Sequence, residues 1–182
     1  MPHNLKVAFF VCSLLILGWP VLAWAAHYSD PHGFELDYDS ATFKVLHYSV
    51  GPEGIGNYIF GCPTDPDMAV CIEYRDDFGG LGLFVHASSG AWVNCPNESP
   101  YDGEPLPKRD IGGIQFLGYE WGEAAAGHKT DHHTYLQKRD GMCYEITMTF
   151  GGGRCDEPDC KRYRHDHREQ LLQLMSSIQW PR

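Results

Sequence analysis

Basic residues are scarce in this 182-residue chain, where 14 Lys and Arg stand against 24 Asp and Glu for a formal charge of −10. Nucleic acids are bound chiefly by displacing condensed counterions with Lys and Arg, and anionic lipid surfaces attract basic segments for the same reason. Neither partner is expected. The one dense basic stretch, Lys161-Arg162-Tyr163-Arg164, is flanked by Asp159, Asp166 and Glu169.

Catalytic signatures are missing as well. No Gly-x-Ser-x-Gly elbow occurs, and His86-Ala87-Ser88-Ser89-Gly90 lacks the strand-to-helix context of that motif. Gly151-Gly152-Gly153 is not followed by the Gly-Lys-Ser/Thr and helix start of a phosphate cradle. A cysteine nucleophile needs a free thiolate, whereas each cysteine beyond the N-terminal segment has a potential disulfide partner. The carboxylate pairs Glu120 with Glu123 and Asp37 with Asp39 are what an acidic, strand-rich surface produces by chance. The chain is therefore expected not to be an enzyme, with no catalytic residue and no cofactor. Internal repeats and low-complexity tracts are absent too, which excludes a solenoid.

What the chain does have begins with an export signal. Lys6 precedes the apolar run Val7 to Gly18, Pro20 breaks any helix begun there, and Ala23-Trp24-Ala25 places small residues where a signal peptidase requires them. The run is shorter than the roughly 20 residues that cross a hydrocarbon core, so cleavage is expected in place of anchoring. We read residues 1–25 as the signal peptide, with a cut after Ala26 as the alternative, and 26–182 as one exported domain, secreted or periplasmic. Cys12 leaves with the signal, so no cysteine remains at the cut to accept a lipid, and no stable membrane insertion is expected afterwards.

Six cysteines remain: Cys62, Cys71, Cys95, Cys143, Cys155 and Cys160. An even count in an exported chain reads as a disulfide framework. The turn-rich Pro63-Thr64-Asp65-Pro66-Asp67 and Asp156-Glu157-Pro158-Asp159 favour pairing Cys62 with Cys71 and Cys155 with Cys160. Cys95 with Cys143 follows by elimination. The competing reading of Cys155, Cys160, His165 and His167 is a zinc site, but the two histidines are two apart, which on a helix turns them to opposite sides. His128, His132 and His133, with Asp131 among them, form a second cluster with ligand chemistry and no fixed metal spacing. Metal binding by either cluster is the alternative function, and no metal ligand is assigned.

Period-two alternation marks most of the strands. Phe34, Leu36 and Tyr38 alternate with acidic residues; short strands follow at 42–47, 58–60, 69–74 and 81–87. The stretch 94–110, rich in Pro, Asn, Glu and Gly, reads as an exposed connection, and its Asn97-Glu98-Ser99 matches a glycosylation triplet followed by Pro100. Longer strands are expected at 114–124, 134–139 and 142–150, the last two joined by a tight turn at Asp140-Gly141. In the final strand Tyr144, Ile146, Met148 and Phe150 share one face, and Cys143, Glu145, Thr147 and Thr149 the other. The apolar spacing of Leu171, Leu174, Met175 and Ile178 predicts a helix over 166–178.

Gly33-Phe34-Glu35-Leu36-Asp37-Tyr38 with Phe43-Lys44-Val45, the hairpin from Thr134 to Ile146, and the ending Ser176-Ser177-Ile178 resemble the PsbP-like family. Its uncharacterised exported bacterial members share a Gly-Cys-Pro element, here Gly61-Cys62-Pro63, and a Cys-Tyr-Glu strand, here Cys143-Tyr144-Glu145. The resemblance implies an α+β fold, an antiparallel sheet with flanking helices in an α/β/α sandwich, stapled here by disulfides. No functional residue of the photosystem member aligns. The expected function is a non-enzymatic binding or accessory domain for a protein or small ligand, with Trp92, Tyr101, Tyr119, Trp121 and Tyr135 as candidate surface residues.

Overall fold

The computed structural model describes residues 25–31, 33–46, 68–74, 79–87, 89–99, 101–125, 128–151 and 158–180. Nine strands and one α-helix lie within them. The strands are β1 (Ala25–Ser29), β2 (Glu35–Asp39), β3 (Phe43–Leu46), β4 (Met68–Tyr74), β5 (Gly79–Ala87), β6 (Glu104–Ile111), β7 (Ile114–Ala125), β8 (His128–Arg139) and β9 (Met142–Gly151), and the helix is α1 (Pro158–Ser176). Antiparallel pairing joins seven strands in the order β3-β4-β5-β9-β8-β7-β6, while β1 and β2 form a separate ribbon. The C-terminal Gln179 bridges to Glu35 of that ribbon.

Tight turns set the register of the longest strands. Asp140 and Gly141 both have positive φ (52° and 79°), as the right-handed twist of a two-residue hairpin demands, and Gly112 and Gly113 repeat the device between β6 and β7. Gly112 has a second reason to be glycine, since a Cβ there would collide with the Ile178 carbonyl.

On the front face of the sheet, Val70 and Ile72 of β4, Leu81 and Leu83 of β5, and Ile146 and Met148 of β9 meet Leu171, Leu174, Met175 and Ile178. The helix stripe read from the sequence is thus the one that packs. Trp180, which the sequence reading did not single out, fits between Phe34, Phe116 and Tyr144, and its indole N–H donates to the Ile111 carbonyl at 3.0 Å.

Three expectations need correction. The α/β/α sandwich is overturned, because the described residues are predominantly β and α1, the one α-helix among them, packs on the front face alone. The physical reason lies in β8 and β9, whose back-face residues include threonines, a histidine and a glutamate and offer no apolar stripe for a second helix layer. The stretch 94–110 is not a continuous connection, for its second half is β6, with Pro105 and Pro107 tolerated because β6 is an edge strand. Finally, α1 begins at Pro158, so Pro158 and Asp159 belong to its first turn, a position where proline loses no hydrogen bond.

Candidate functional site

Alternation along β8 and β9 projects His132, Thr134 and Leu136 from the back face opposite Thr149, Thr147 and Glu145. β5 sets Phe84 beside Glu145 and His86 beside Cys143, and β7 sets Trp121 beside His132 and Tyr119 beside Thr134. Threonine suits such positions, being β-branched for the strand and polar for its neighbours.

The polar groups of this face form a directed chain. Trp121 Nε1–H donates to Thr134 Oγ1 at 2.9 Å, Thr134 and Thr147 hydroxyls lie 2.8 Å apart, and the Thr147 hydroxyl donates to Glu145. Because indole can only donate and Thr147 spends its proton on the carboxylate, the Thr134 hydroxyl is the donor to Thr147. Each bond in such a series polarises the next. Glu145, 1% exposed, is also approached by His86 Nε2 at 3.1 Å and by the Tyr101 hydroxyl at 3.4 and 3.5 Å. Three polar side chains, Thr147, His86 and Tyr101, thus converge on one buried carboxyl group, as burial of a polar group requires.

Above the chain runs a row of six rings. Phe84 stacks on His86 (5.8 Å, 9°), His86 on Trp92 (3.7 Å, 9°), Tyr101 meets Trp92 edge-on (6.2 Å, 78°) and stacks on Trp121 (4.4 Å, 14°), and Trp121 stacks on His132 (3.9 Å, 12°). Trp92 and Tyr101 come from the connection between β5 and β6. That connection is tied down by the Cys95–Cys143 disulfide, with Cα atoms 6.1 Å apart, and by the Tyr119 hydroxyl, which donates to the Pro96 carbonyl at 2.9 Å. Burial, with Glu98 nearby, pushes the Tyr119 phenol pKa up.

His132 and His133 part company here. His132 lies on the back face with Nδ1 3.0 Å from Thr149 Oγ1, and burial pushes its pKa from 6.5 down to about 4. His133 lies on the front face, edge-on to Phe150 at 4.8 Å with Nε2 3.8 Å from Glu120, and burial followed by the charge of Arg168 lowers its pKa. Both are neutral imidazoles at neutral pH.

The five expected surface aromatics are therefore divided. Trp92, Tyr101 and Trp121 come together in the row, Tyr119 supports the loop beneath them, and Tyr135, opposite Ile146, is buried in the front core. His86 and Glu145 were not singled out by sequence reasoning, although the parity of Glu145 with Cys143 places it on this face. The Cys95–Cys143 disulfide is present as expected, and Cys71 is buried and disulfide-bonded. Its expected partner Cys62, along with Cys155, lies outside the described residues, as do the side chains of Cys160, His128 and His165. His167 stacks on Tyr74 at 4.3 Å. Among the described residues, no group of three or more His, Cys, Asp or Glu is placed to hold a metal, and no helix is long and apolar enough to cross a membrane.

No family model matches the chain, and no curated relative does. A crystal structure of a Bacteroides thetaiotaomicron protein is similar at 12% identity and a TM-score of 0.47, covering 86% of this chain and 48% of that one. The chain thus spans about half the length of that protein.

Proposed function

We propose that this is an exported, non-enzymatic binding or accessory domain whose recognition surface is the ring row on the back face of the sheet. The observation that carries the reading is the gathering of Trp92, Tyr101 and Trp121, none of them fully buried, on one face by a disulfide-tied loop. Val93 on the same loop is 58% exposed and Tyr101 36%. Tryptophan and tyrosine supply large, rigid contact area at small entropic cost, which is why they dominate binding hot spots. The disulfide and the export signal agree with an oxidising compartment outside the cytoplasm. His86, buried within the row, is tied by its Nε2 to the buried Glu145 at 3.1 Å, which holds the platform in place. The acidic balance of the chain favours a neutral or basic partner over a polyanion.

The test is affinity capture from the source's own exported fraction with the disulfide-intact protein, in parallel with Trp92→Ala/Tyr101→Ala. A stoichiometric partner held by the native protein and lost from the variant, both melting at similar temperatures, supports the reading. Equal recovery on both sinks it.

A further inference from the structure

The ribbon strand β2 has an unused backbone edge. Glu35 exchanges backbone bonds with Gln179 at 2.9 and 2.7 Å, and in an antiparallel pair the N–H and C=O of one residue point to the same side. Parity therefore turns Asp37 and Asp39 away from β1 as well, toward the end of α1. The Ser177 hydroxyl donates to the Asp37 carbonyl at 2.8 Å and the Thr42 amide to the Asp39 carbonyl at 3.1 Å. The amides of Asp37 and Asp39 have no acceptor among the described residues. Two such donors, roughly 7 Å apart along the strand, match the repeat of an extended chain.

A groove opens beside this edge. It encloses about 290 Å³ between β2, Phe43 and the C-terminal half of α1, at the small end of the range for ligand cavities. Phe43 and Leu174, both buried, form its floor, and the exposed side chains of Gln170 and Gln173 its rim. The charged residues among its lining are Asp37 and Asp39, and none is basic. Asp37 already meets His27 at 2.9 Å, whereas Asp39 meets no cation among the described residues. The Thr42 hydroxyl at 2.6 Å and the Ala41 amide at 2.9 Å hold the Asp39 carboxyl below the usual carboxylate range, so it is charged at neutral pH. An apolar floor, two amide acceptors and an uncompensated carboxylate fit one long side chain with an aliphatic stem and a cationic head.

We propose that the free edge of β2 and the groove beside it bind an extended segment of a partner protein, with one arginine or lysine side chain seated between β2 and α1. Backbone bonds to Asp37 and Asp39 supply the affinity and the groove the selectivity, as in other cases of strand addition. The C-terminal Gln179 already uses the same edge at Glu35, so the segment continues an existing pairing. This surface lies on the α1 side of the molecule and shares no residue with the ring row.

The experiment is an NMR titration of the 15N-labelled, disulfide-intact exported protein with a capped five-residue peptide, arginine at its centre and alanine elsewhere. The expected result is saturable shifts of the Asp37 and Asp39 backbone amides and of the Gln170 and Gln173 side-chain amides. The same peptide with glutamate at its centre should give none, and methylating its backbone nitrogens at alternate residues should weaken half-saturation by about tenfold or more, the worth of one hydrogen bond to a charged or well-placed group. Gln173→Arg, on the exposed side of α1, places a like charge in the groove and should weaken binding of the arginine peptide to the same degree without lowering the melting temperature; Gln170→Ala serves if that variant does not fold. No shift with the arginine peptide, equal shifts with the glutamate peptide, no loss on methylation, or undiminished binding by the variant would each overturn the proposal. Shifts confined to the Trp92 and Trp121 indoles would do so too, while leaving the ring row as the recognition surface.

Discussion

On the front face of the sheet Ile146, Met148 and Phe150 of β9 pack against other strands and α1, whereas on the back face the residues alternating with them, Glu145, Thr147 and Thr149, are as deeply buried and wholly polar. The front is held by area removed from water, which needs no particular orientation. The back is held by directed bonds, a covalent link and stacked rings, each of which fixes a geometry. A surface that must present side chains in a set arrangement belongs on the second kind of face, and this is where Trp92, Tyr101 and Trp121 are found.

The contrast predicts different responses to damage. Removing the covalent link with Cys95→Ala/Cys143→Ala opens a loop of sequence separation 48, worth about 4 kcal/mol in the chain-entropy account. Urea denaturation should show that loss, together with early amide exchange in residues 89–99 while β9 stays protected. If β9 exchanges as early as the loop, the two faces are not separable in stability.

Ile146→Ala, a truncation at a front-face site with no measurable exposure, should cost about 3 kcal/mol by lost transfer energy and residual cavity. The ring row should be left intact, so the indole N–H resonances of Trp92 and Trp121 in the NMR spectrum of the folded variant should match those of the native protein, whereas that of Trp180, which packs against the front core, is free to move. Shifted Trp92 and Trp121 resonances would mean that the front core positions the rings.

The pH dependence separates the faces as well. The folded-state pKa of His132 is depressed from 6.5 to about 4, so between those values the unfolded chain binds the proton that the folded one refuses. Its stabilising contribution is complete above pH 6.5 and is lost as pH falls toward about 4, on the order of 2–3 kcal/mol at the bottom of the window. His133 is shifted in the same direction. His132→Phe should flatten the stability profile over this window relative to the native protein. An unchanged slope would assign the acid sensitivity to His133 and the front face.

Much of this architecture was legible in the sequence because β-structure writes its faces in odd and even positions. The alternation over 142–150 separated Ile146 and Met148 from Glu145 and Thr147, and Asp140-Gly141 fixed the hairpin that aligns them. The same parity distinguishes Tyr135 from Thr134 and His132, and applying it would have sent Tyr135 to the core. β6 was hidden because Pro105 and Pro107 read as loop, and an edge strand satisfies only one side of its ladder. The second helix layer was an inference from resemblance, and the polar back face overrules it. The ring row carried no local signal, since His86, Trp92, Tyr101, Trp121 and His132 come from three strands and a loop. Only the register of β5, β9, β8 and β7, with the disulfide, brings them together.

The smallest effect expected tests whether the polar chain works as a chain. Trp121→Phe preserves a ring between Tyr101 and His132 but removes the N–H donated to Thr134, leaving the threonine hydroxyl with one neighbour in place of two. A single neutral hydrogen bond is worth about 1 kcal/mol net. If the bonds from Trp121 to Glu145 are independent, Trp121→Phe and Thr147→Val should lower stability by amounts that add in the double variant. If they polarise one another, the double variant should lose less than the sum, because either substitution alone already interrupts the series. A double-mutant cycle read by urea denaturation distinguishes the two. Full additivity would reduce the back face to a set of separate contacts, whereas a coupling of about 0.5 kcal/mol or more would make it one continuous polar element beneath the rings.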